Sequence, residues 1–430
     1  MMWQRRKVER YPEIIARPMS GADVANALKF ASKNQLKVAV RSGGHNVWAS
    51  FLRDGGLLLD LSEFKGVQVH GGRARVGPSL WARDLATALA EVGQAFPVAH
   101  CATVPLGGYL LGGGLGVNGD EWGGIACFSI VGAEVVTGDG EHLHVDAKSH
   151  PEILWALRGG GAGFPGVVTS YELRTYPAPG GIWTGTYVFP LGALETVAGF
   201  LDDLAALKPA NTEILGLMVH NPQAGPDSSP LERKACAVRA LVFGNSEEDA
   251  KPVLDFMEAH PAAAEAAFKI PISSMDTEAM FVESIDWRRG FGFGRLGVEN
   301  AWINDTQSAL KSVAEAFVSA PSWKSHVVVQ PKTGKTSSDA GAFSVAGATY
   351  IGGYSVWDEP NADRENLAWL QEFKHALEPH AAGHYINEID GASDPNRVRR
   401  CYSDAAWKRL RALRSDMDPD GVFHDFPGIA

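Results

Sequence analysis

The 430-residue chain carries 39 Lys+Arg against 50 Asp+Glu, a net charge of −11, which argues against a sequence-wide attraction to nucleic acid or an anionic membrane. A hydrophobic fraction of 45% and a charged fraction of 21% are those of a globular enzyme, long enough for two or three domains. The four cysteines (Cys101, Cys127, Cys236 and Cys401) show no CxxC spacing, so neither a disulfide scaffold nor a structural zinc site is indicated.

The first element is a helix over 20–34, with Ser20 as N-cap and Val24, Leu28 and Ala31 at helical spacing. The apolar run 36–40 reads as a strand. Arg41-Ser42-Gly43-Gly44-His45-Asn46 follows it. Adjacent glycines reach conformations that a Cβ forbids, and their N–H groups can form a nest for a phosphate. A histidine beside such a nest touches whatever the phosphates carry. The plain alternative is a tight turn with a buried histidine.

A second strand covers 56–61, and a hairpin joins 67–69 to 73–76 around His70-Gly71-Gly72. Pro78 and Ser79 open a helix that Gly93 ends. The stretch from His100 through Cys101 to Gly116 is too rich in glycine for a stable helix or strand, and a loop this long is usually functional. Residues 130–137 and 141–145 form a hairpin. His142 and His144 share one face of it, which reads as a solvated strand face in preference to a metal pair.

A short helix at 152–157 and a strand at 167–174 come next, and the composition changes at 177–181, where a domain boundary is placed. Beyond it lie strands at 184–189, 213–219, 237–243 and 326–330, and helices at 193–207, 246–258 and 361–377. Aromatics between Phe281 and Trp302, among them Trp287, Phe291 and Phe293, either line an apolar pocket or are ordinary core. Lys332 and Lys335 read as a solvated loop. The final stretch carries Tyr385-Ile386-Asn387-Glu388, an amphipathic helix at 405–414, and the stop Asp418-Pro419-Asp420-Gly421-Val422-Phe423.

No apolar run approaches the roughly 20 residues that span a bilayer. The N-terminal charges have no apolar segment behind them, so a cytoplasmic location is expected, or secretion if a leader is removed.

Together these motifs resemble the berberine-bridge-enzyme-like branch of the vanillyl-alcohol-oxidase flavoproteins. The resemblance runs in order through the glycine-histidine loop, Cys101 to Gly116, Ile130-Val131-Gly132-Ala133, Trp155-Ala156-Leu157-Arg158-Gly159-Gly160-Gly161, Tyr385-Ile386-Asn387 and the 418–423 stop. It implies an α+β fold: a two-subdomain PCMH-type FAD-binding domain over 1–178, a substrate domain over 179–384 whose antiparallel sheet is covered by helices, and a C-terminal segment, 385–430, returning to the first. It implies FAD with its pyrophosphate on Arg41, Ser42, Gly43, Gly44, His45 and Asn46, a bond from His45 to the flavin 8α carbon, and a second from Cys101 to ring C6. Gly107, Gly108, Gly112, Gly113, Gly114, Gly116, Ile130, Val131, Gly132 and Asn387 are further implied cofactor contacts. Proline is usual where Ala102 stands and glycine where Pro105 stands, so the Cys101 bond is the less secured of the two.

In such proteins the residue three after the cysteine gates oxygen, and Val104 there implies an oxidase releasing hydrogen peroxide. The second tyrosine of the usual Tyr-x-Asn-Tyr is replaced by Glu388. Beside an apolar flavin face, desolvation would raise its pKa toward that of a useful base. The alternative is a carboxylate in solvent or paired with an arginine. Tyr385 and Asn387 are expected to contact or frame the flavin, with Tyr385 a second catalytic candidate. The Phe-x-His-Arg of bacterial relatives is absent at Ala342-Phe343-Ser344-Val345-Ala346.

The implied activity is hydride transfer from an alcohol or amine carbon of a small aromatic or secondary-metabolite substrate to flavin N5, then to O2. A saccharide oxidase forming a lactone and a flavin-scaffolded non-redox cyclase are the alternatives. The expected partners are the substrate and O2, with no metal, nucleic acid or membrane, in a monomer or homodimer.

Overall fold

A computed structural model describes residues 4–207, 209–283, 294–332, 339–391 and 393–425. Ile14–Ala16, Leu57–Asp60 and Val38–Arg41 form a parallel three-stranded sheet with Leu57–Asp60 in the middle. The helix Gly21–Lys33 covers it, started by Ser20, whose Oγ accepts from Asp23 N. Its Val24, Leu28 and Ala31 make one apolar stripe that packs with Val38, Leu57, Leu59 and the distant Val422 and Phe423. A five-stranded antiparallel sheet stands beside it, ordered Val67–His70, Arg73–Val76, Val167–Arg174, Ile130–Val136, His142–Asp146.

The helix expected from Pro78 begins only at Ala82 and ends at Ala90. Ser79 donates to Leu61 O at 2.8 Å and Trp81 bridges to Pro105, which holds the intervening chain extended. The Cys101 stretch is not a loop throughout, for it contains the short helix Leu106–Leu111. A glycine costs a helix about 1 kcal/mol relative to alanine, but at Gly107 a Cβ would lie 2.8 Å from Ser42 Oγ. Close packing on the 41–46 loop therefore dictates glycine, and burial of Leu106 and Leu110 keeps the turn helical.

From 181 the chain enters an eight-stranded antiparallel sheet, ordered Phe268–Met275, Gly181–Pro190, Lys234–Gly244, Thr212–His220, His326–Pro331, Thr349–Trp357, Arg295–Ile303, Ala381–Gly383. Successive strand residues point to opposite faces. Val238, Ala240, Val242, Ile214, Val327 and Ile351 share a core with residues of the helices Leu194–Leu207, Glu247–Ala259, Thr306–Val318 and Asp363–Leu377. Their neighbours take the other face, where register sets Leu215 opposite Arg239, Leu217 opposite Val328 and Gln330 opposite Tyr350. The fold is thus α+β, with the helices on one face of the large sheet and the other face free to build a site.

Phe268–Met275, Arg295–Ile303, Thr349–Trp357 and the helix Thr306–Val318 have no counterpart in the sequence reading. Trp287, Phe291, Phe293 and Lys335 lie outside the described residues. Phe281 and Trp302 are buried in the core that joins the sheets. Lys332 is not a solvated residue: its side chain is 5% exposed and pairs with Asp120 at 3.8 Å. His142 and His144 are exposed, and His144 Nδ1 bonds Glu134 at 2.9 Å. The helix Asp404–Met417 leads to Asp418, whose carboxylate accepts from Val422 N and Phe423 N and sets Phe423 beside Val38. Among the described residues no helix is long and apolar enough to cross a membrane.

Candidate active site

A cavity of about 440 Å³ lies between the 41–46 loop, the Cys101 stretch and the open face of the eight-stranded sheet. The strand Val38–Arg41 delivers the loop to its rim. Gly44 takes φ 75°, in the left-handed region that favours glycine. Arg41 pairs with Asp60 at 2.5 Å and donates to Gly43 O at 3.1 Å, bracing the loop from behind. A Cβ on Gly43 would collide with the Pro105 ring, so the proline of the Cys101 stretch is accommodated by the glycine facing it.

His45 and Cys101 meet at the cavity wall, with Nε2 and Sγ 3.5 Å apart. Thr103 Oγ1 lies 3.3 Å from His45 Nε2 and 3.4 Å from Cys101 Sγ. Burial lowers the His45 pKa to about 3, against a small opposing effect of its own backbone. The imidazole is therefore neutral at physiological pH and retains a nitrogen lone pair.

The wall opposite is built by an unusual continuation of the large sheet. Pairing of Arg295–Ile303 with Ala381–Gly383 ends at Gly383, and the Asn300 side chain then stands in for a peptide group. Its Oδ1 accepts from Tyr385 N at 2.7 Å and its Nδ2 donates to Tyr385 O at 3.1 Å. The turn Ile386–Glu388 follows and brings Glu388 to the cavity.

Tyr350 and Tyr354, on one face of Thr349–Trp357, both donate to Glu388 Oε2, the second at 2.8 Å. No hydrogen bond to Oε1 is present among the described residues. Burial raises the Glu388 pKa, and the Tyr350 bond, the Tyr354 bond and the charge of His100 oppose it. The Tyr385 hydroxyl accepts from Gly114 N at 3.1 Å and Asn387 Nδ2 at 2.9 Å, and burial raises its pKa. Burial thus favours the protonated form of the Tyr385 phenol and, against the two tyrosine bonds, of the Glu388 carboxyl.

Of the residues singled out in the sequence, Arg41, Ser42, Gly44, His45, Asn46, Cys101, Val104, Gly107, Gly108, Tyr385, Asn387 and Glu388 line this cavity. The others do not. Gly43 backs Pro105. Gly112, Gly113, Gly114 and Gly116 sit where a Cβ would strike Asn387, Phe343, Tyr109 and Pro97 respectively, so they bring the wall close without forming it. Ile130, Val131 and Gly132 belong to the five-stranded sheet, and Ile130 O is used by Arg158. Phe343, within the stretch that lacks the Phe-x-His-Arg, is a buried plug in edge contact with Phe128, Trp302 and Tyr385.

The sequence reading did not single out Tyr350, Tyr354, Asn300, Thr103 or the group formed by His100, Glu213 and Gln330. Glu213 Oε1 bonds His100 Nε2 and accepts from Gln330 Nε2 at 2.6 Å. The i, i+4 tyrosines on one strand face were the available signal.

The residues suit a flavin dinucleotide. A Cβ on Gly108 would meet nothing within 4 Å, so the backbone there is open to the cavity. The 41–46 loop and the neutral histidine beside a thiol lie along the same wall.

Comparison with known proteins agrees. Residues 12–146 match the family model described as an FAD binding domain. FAD-linked oxidoreductase penO of Penicillium crustosum is 27% identical over 413 residues, covering 95% of this chain and 88% of that protein. (R)-6-hydroxynicotine oxidase of Paenarthrobacter nicotinovorans is 35% identical over 205 residues, 47% of this chain and 44% of that protein. The structure of Physcomitrella patens BBE-like 1 superposes with a TM-score of 0.82 at 19% identity, over 100% of this chain and 94% of that one. Residues 12–146 therefore carry an FAD binding domain, and the chain is similar along most of its length to FAD-linked oxidoreductases and has the fold of the berberine-bridge-enzyme-like structure.

Proposed function

We propose that the protein is an oxidase with covalently held FAD, acting on an alcohol or amine carbon of a small aromatic or secondary-metabolite substrate. The observation that carries this reading is Glu388 on the cavity wall, its Oε2 gripped by two phenols and its pKa raised by burial.

When bound, FAD would supply the hydride acceptor, with O2 as the final oxidant and hydrogen peroxide as the product of its reduction. His45 and Cys101 would hold the flavin, each as a candidate for covalent attachment to it. Their contact across the cavity wall supports this pairing. The substrate heteroatom loses its proton to Glu388 Oε1 while the adjacent carbon loses hydride, and the product is a carbonyl or an imine. Tyr350 and Tyr354 aim the carboxylate. Tyr385 and Asn387 frame the cofactor. Val104, on the cavity wall three residues after Cys101, leaves a path for O2.

On the sheet side of the cavity Leu215, Leu217, Leu241, Val298 and Val328 supply apolar surface among Arg239, His326, Gln330, Tyr350 and Tyr354, and that apolar surface supports an aromatic substrate. The name of the similar (R)-6-hydroxynicotine oxidase supports the oxidase assignment.

The experiment is a panel of aromatic alcohols and amines added anaerobically, followed by air. A true substrate bleaches the flavin, and air restores the colour with one hydrogen peroxide per product. Product formed without bleaching would instead indicate a non-redox reaction with the flavin as scaffold.

A further inference from the structure

Beyond the histidine loop, the cavity wall carries a cation that no described residue engages. Arg53 lies half-buried on the cavity wall and makes no hydrogen bond or ion pair to any described residue. Other guanidiniums of that wall are engaged. Arg41 pairs with Asp60, Arg239 donates to Thr184 Oγ1 at 2.9 Å, and Arg414 donates to Gly163 O at 3.0 Å and Phe423 O at 3.2 Å.

Arg10 stands behind Arg53. It donates to Trp48 O and Ala49 O, while its Nε is buried without a hydrogen-bond partner among the described residues. A small second cavity, lined in part by Arg10, Asn46, Ser50 and Arg53, links the two guanidiniums to the end of the 41–46 loop. Like charges drawn together and partly out of water repel strongly unless an anion joins them. Burial and the charge of Arg10 both act against protonation of Arg53, in the order given. The acid that acts on Arg53 is Asp425, which itself pairs with Arg414 at 3.6 Å, and those acting on Arg10 are Asp390 and Asp54. The loop next to this cation pair is the one whose N–H groups suit a phosphate.

We propose that Arg53, backed by Arg10, is the counter-charge for the diphosphate of the bound dinucleotide. A guanidinium matches phosphate oxygens with two parallel hydrogen bonds, and such charge-assisted bonds are about twice as strong as neutral ones. The inference rests on the flavin reading of the cavity and is independent of the reaction, the base and the substrate.

The test is FAD affinity, read from quenching of flavin fluorescence. It uses the full chain carrying His45→Ala and Cys101→Ala, so that the cofactor exchanges. In that background Arg53→Met is expected to weaken FAD binding about tenfold or more and to make it less sensitive to added salt. Arg53→Lys, which keeps the charge, is expected to recover part of the loss, and Arg53→Gln gives the same reading should the methionine variant fail to fold. Unchanged FAD affinity in the methionine variant overturns the proposal, as does a loss with undiminished salt dependence. A background protein that binds no FAD contradicts the flavin reading itself.

Discussion

Tyr354 donates to Glu388 at 2.8 Å and so ties the cavity face of the large sheet to the turn that follows Tyr385. Tyr350, four residues earlier on the same strand face, donates to the same carboxylate oxygen. One oxygen is spent on the protein and the other is left for chemistry. In the proposed function this division would make the carboxylate an oriented base, and that role can be tested piece by piece.

Glu388→Gln keeps the shape and removes the base. The rate of anaerobic flavin reduction is expected to fall about 10²- to 10⁴-fold, with substrate affinity changed little. A variant that reduces its flavin at the parent rate removes Glu388 from the mechanism.

The pH profile follows from the direction of the shift. If Glu388 is the base, it must act as the carboxylate, and since burial raises its pKa, kcat/KM should be low in acid and rise with pH through a value above that of an ordinary glutamate. The Tyr350 bond favours the charged form. Tyr350→Phe should therefore move the acid limb to higher pH, by about one unit for each 1.4 kcal/mol of stabilisation lost. A limb that stays put or moves to lower pH would show that another group titrates.

Cofactor attachment is read by mass. Peptides containing His45 and Cys101 should both carry flavin, and the protein should stay yellow after acid precipitation. His45→Ala and Cys101→Ala should each leave one link, and the double variant should release its flavin. Release from the parent protein would contradict attachment at either residue.

Val104→Leu places a bulkier side chain on the cavity wall three residues after Cys101. Reoxidation of the reduced enzyme by air is expected to slow by an order of magnitude or more, with flavin reduction by substrate nearly unchanged. Stopped-flow measurement of the two half-reactions separates these effects.

Asn300→Ala deletes two buried hydrogen bonds to Tyr385 and leaves a peptide N–H and a C=O without partners. A stability loss of roughly 2–4 kcal/mol is expected, read from denaturant unfolding of the holoprotein.

Parts of this site were legible in the sequence because one residue type answered one requirement. The paired glycines before His45 and the isolated Cys101 marked one wall of the cavity, and Glu388 stood out as a charge where an aromatic is usual. Other parts depended on pairing between distant strands. Thr349–Trp357 is buried on both faces and contains Gly352 and Gly353, so it shows neither alternation nor a clean apolar run, and its two tyrosines went unseen. The helix Leu106–Leu111 was hidden because Gly107 answers to Ser42 across the fold rather than to its own helix. Lys332 looked solvated because its partner, Asp120, lies more than 200 residues away. Arg53 has no sequence signature at all, since its character comes from having no hydrogen bond or ion pair to any described residue.

The central claim, a flavin oxidase using Glu388 as base, is tested most directly by anaerobic stopped-flow reduction of the parent and the Glu388→Gln variant across pH. The expected result is rapid bleaching in the parent that rises with pH through a single raised pKa, and slow bleaching with no such limb in the variant. Equal rates with the same pH dependence in both proteins would contradict it.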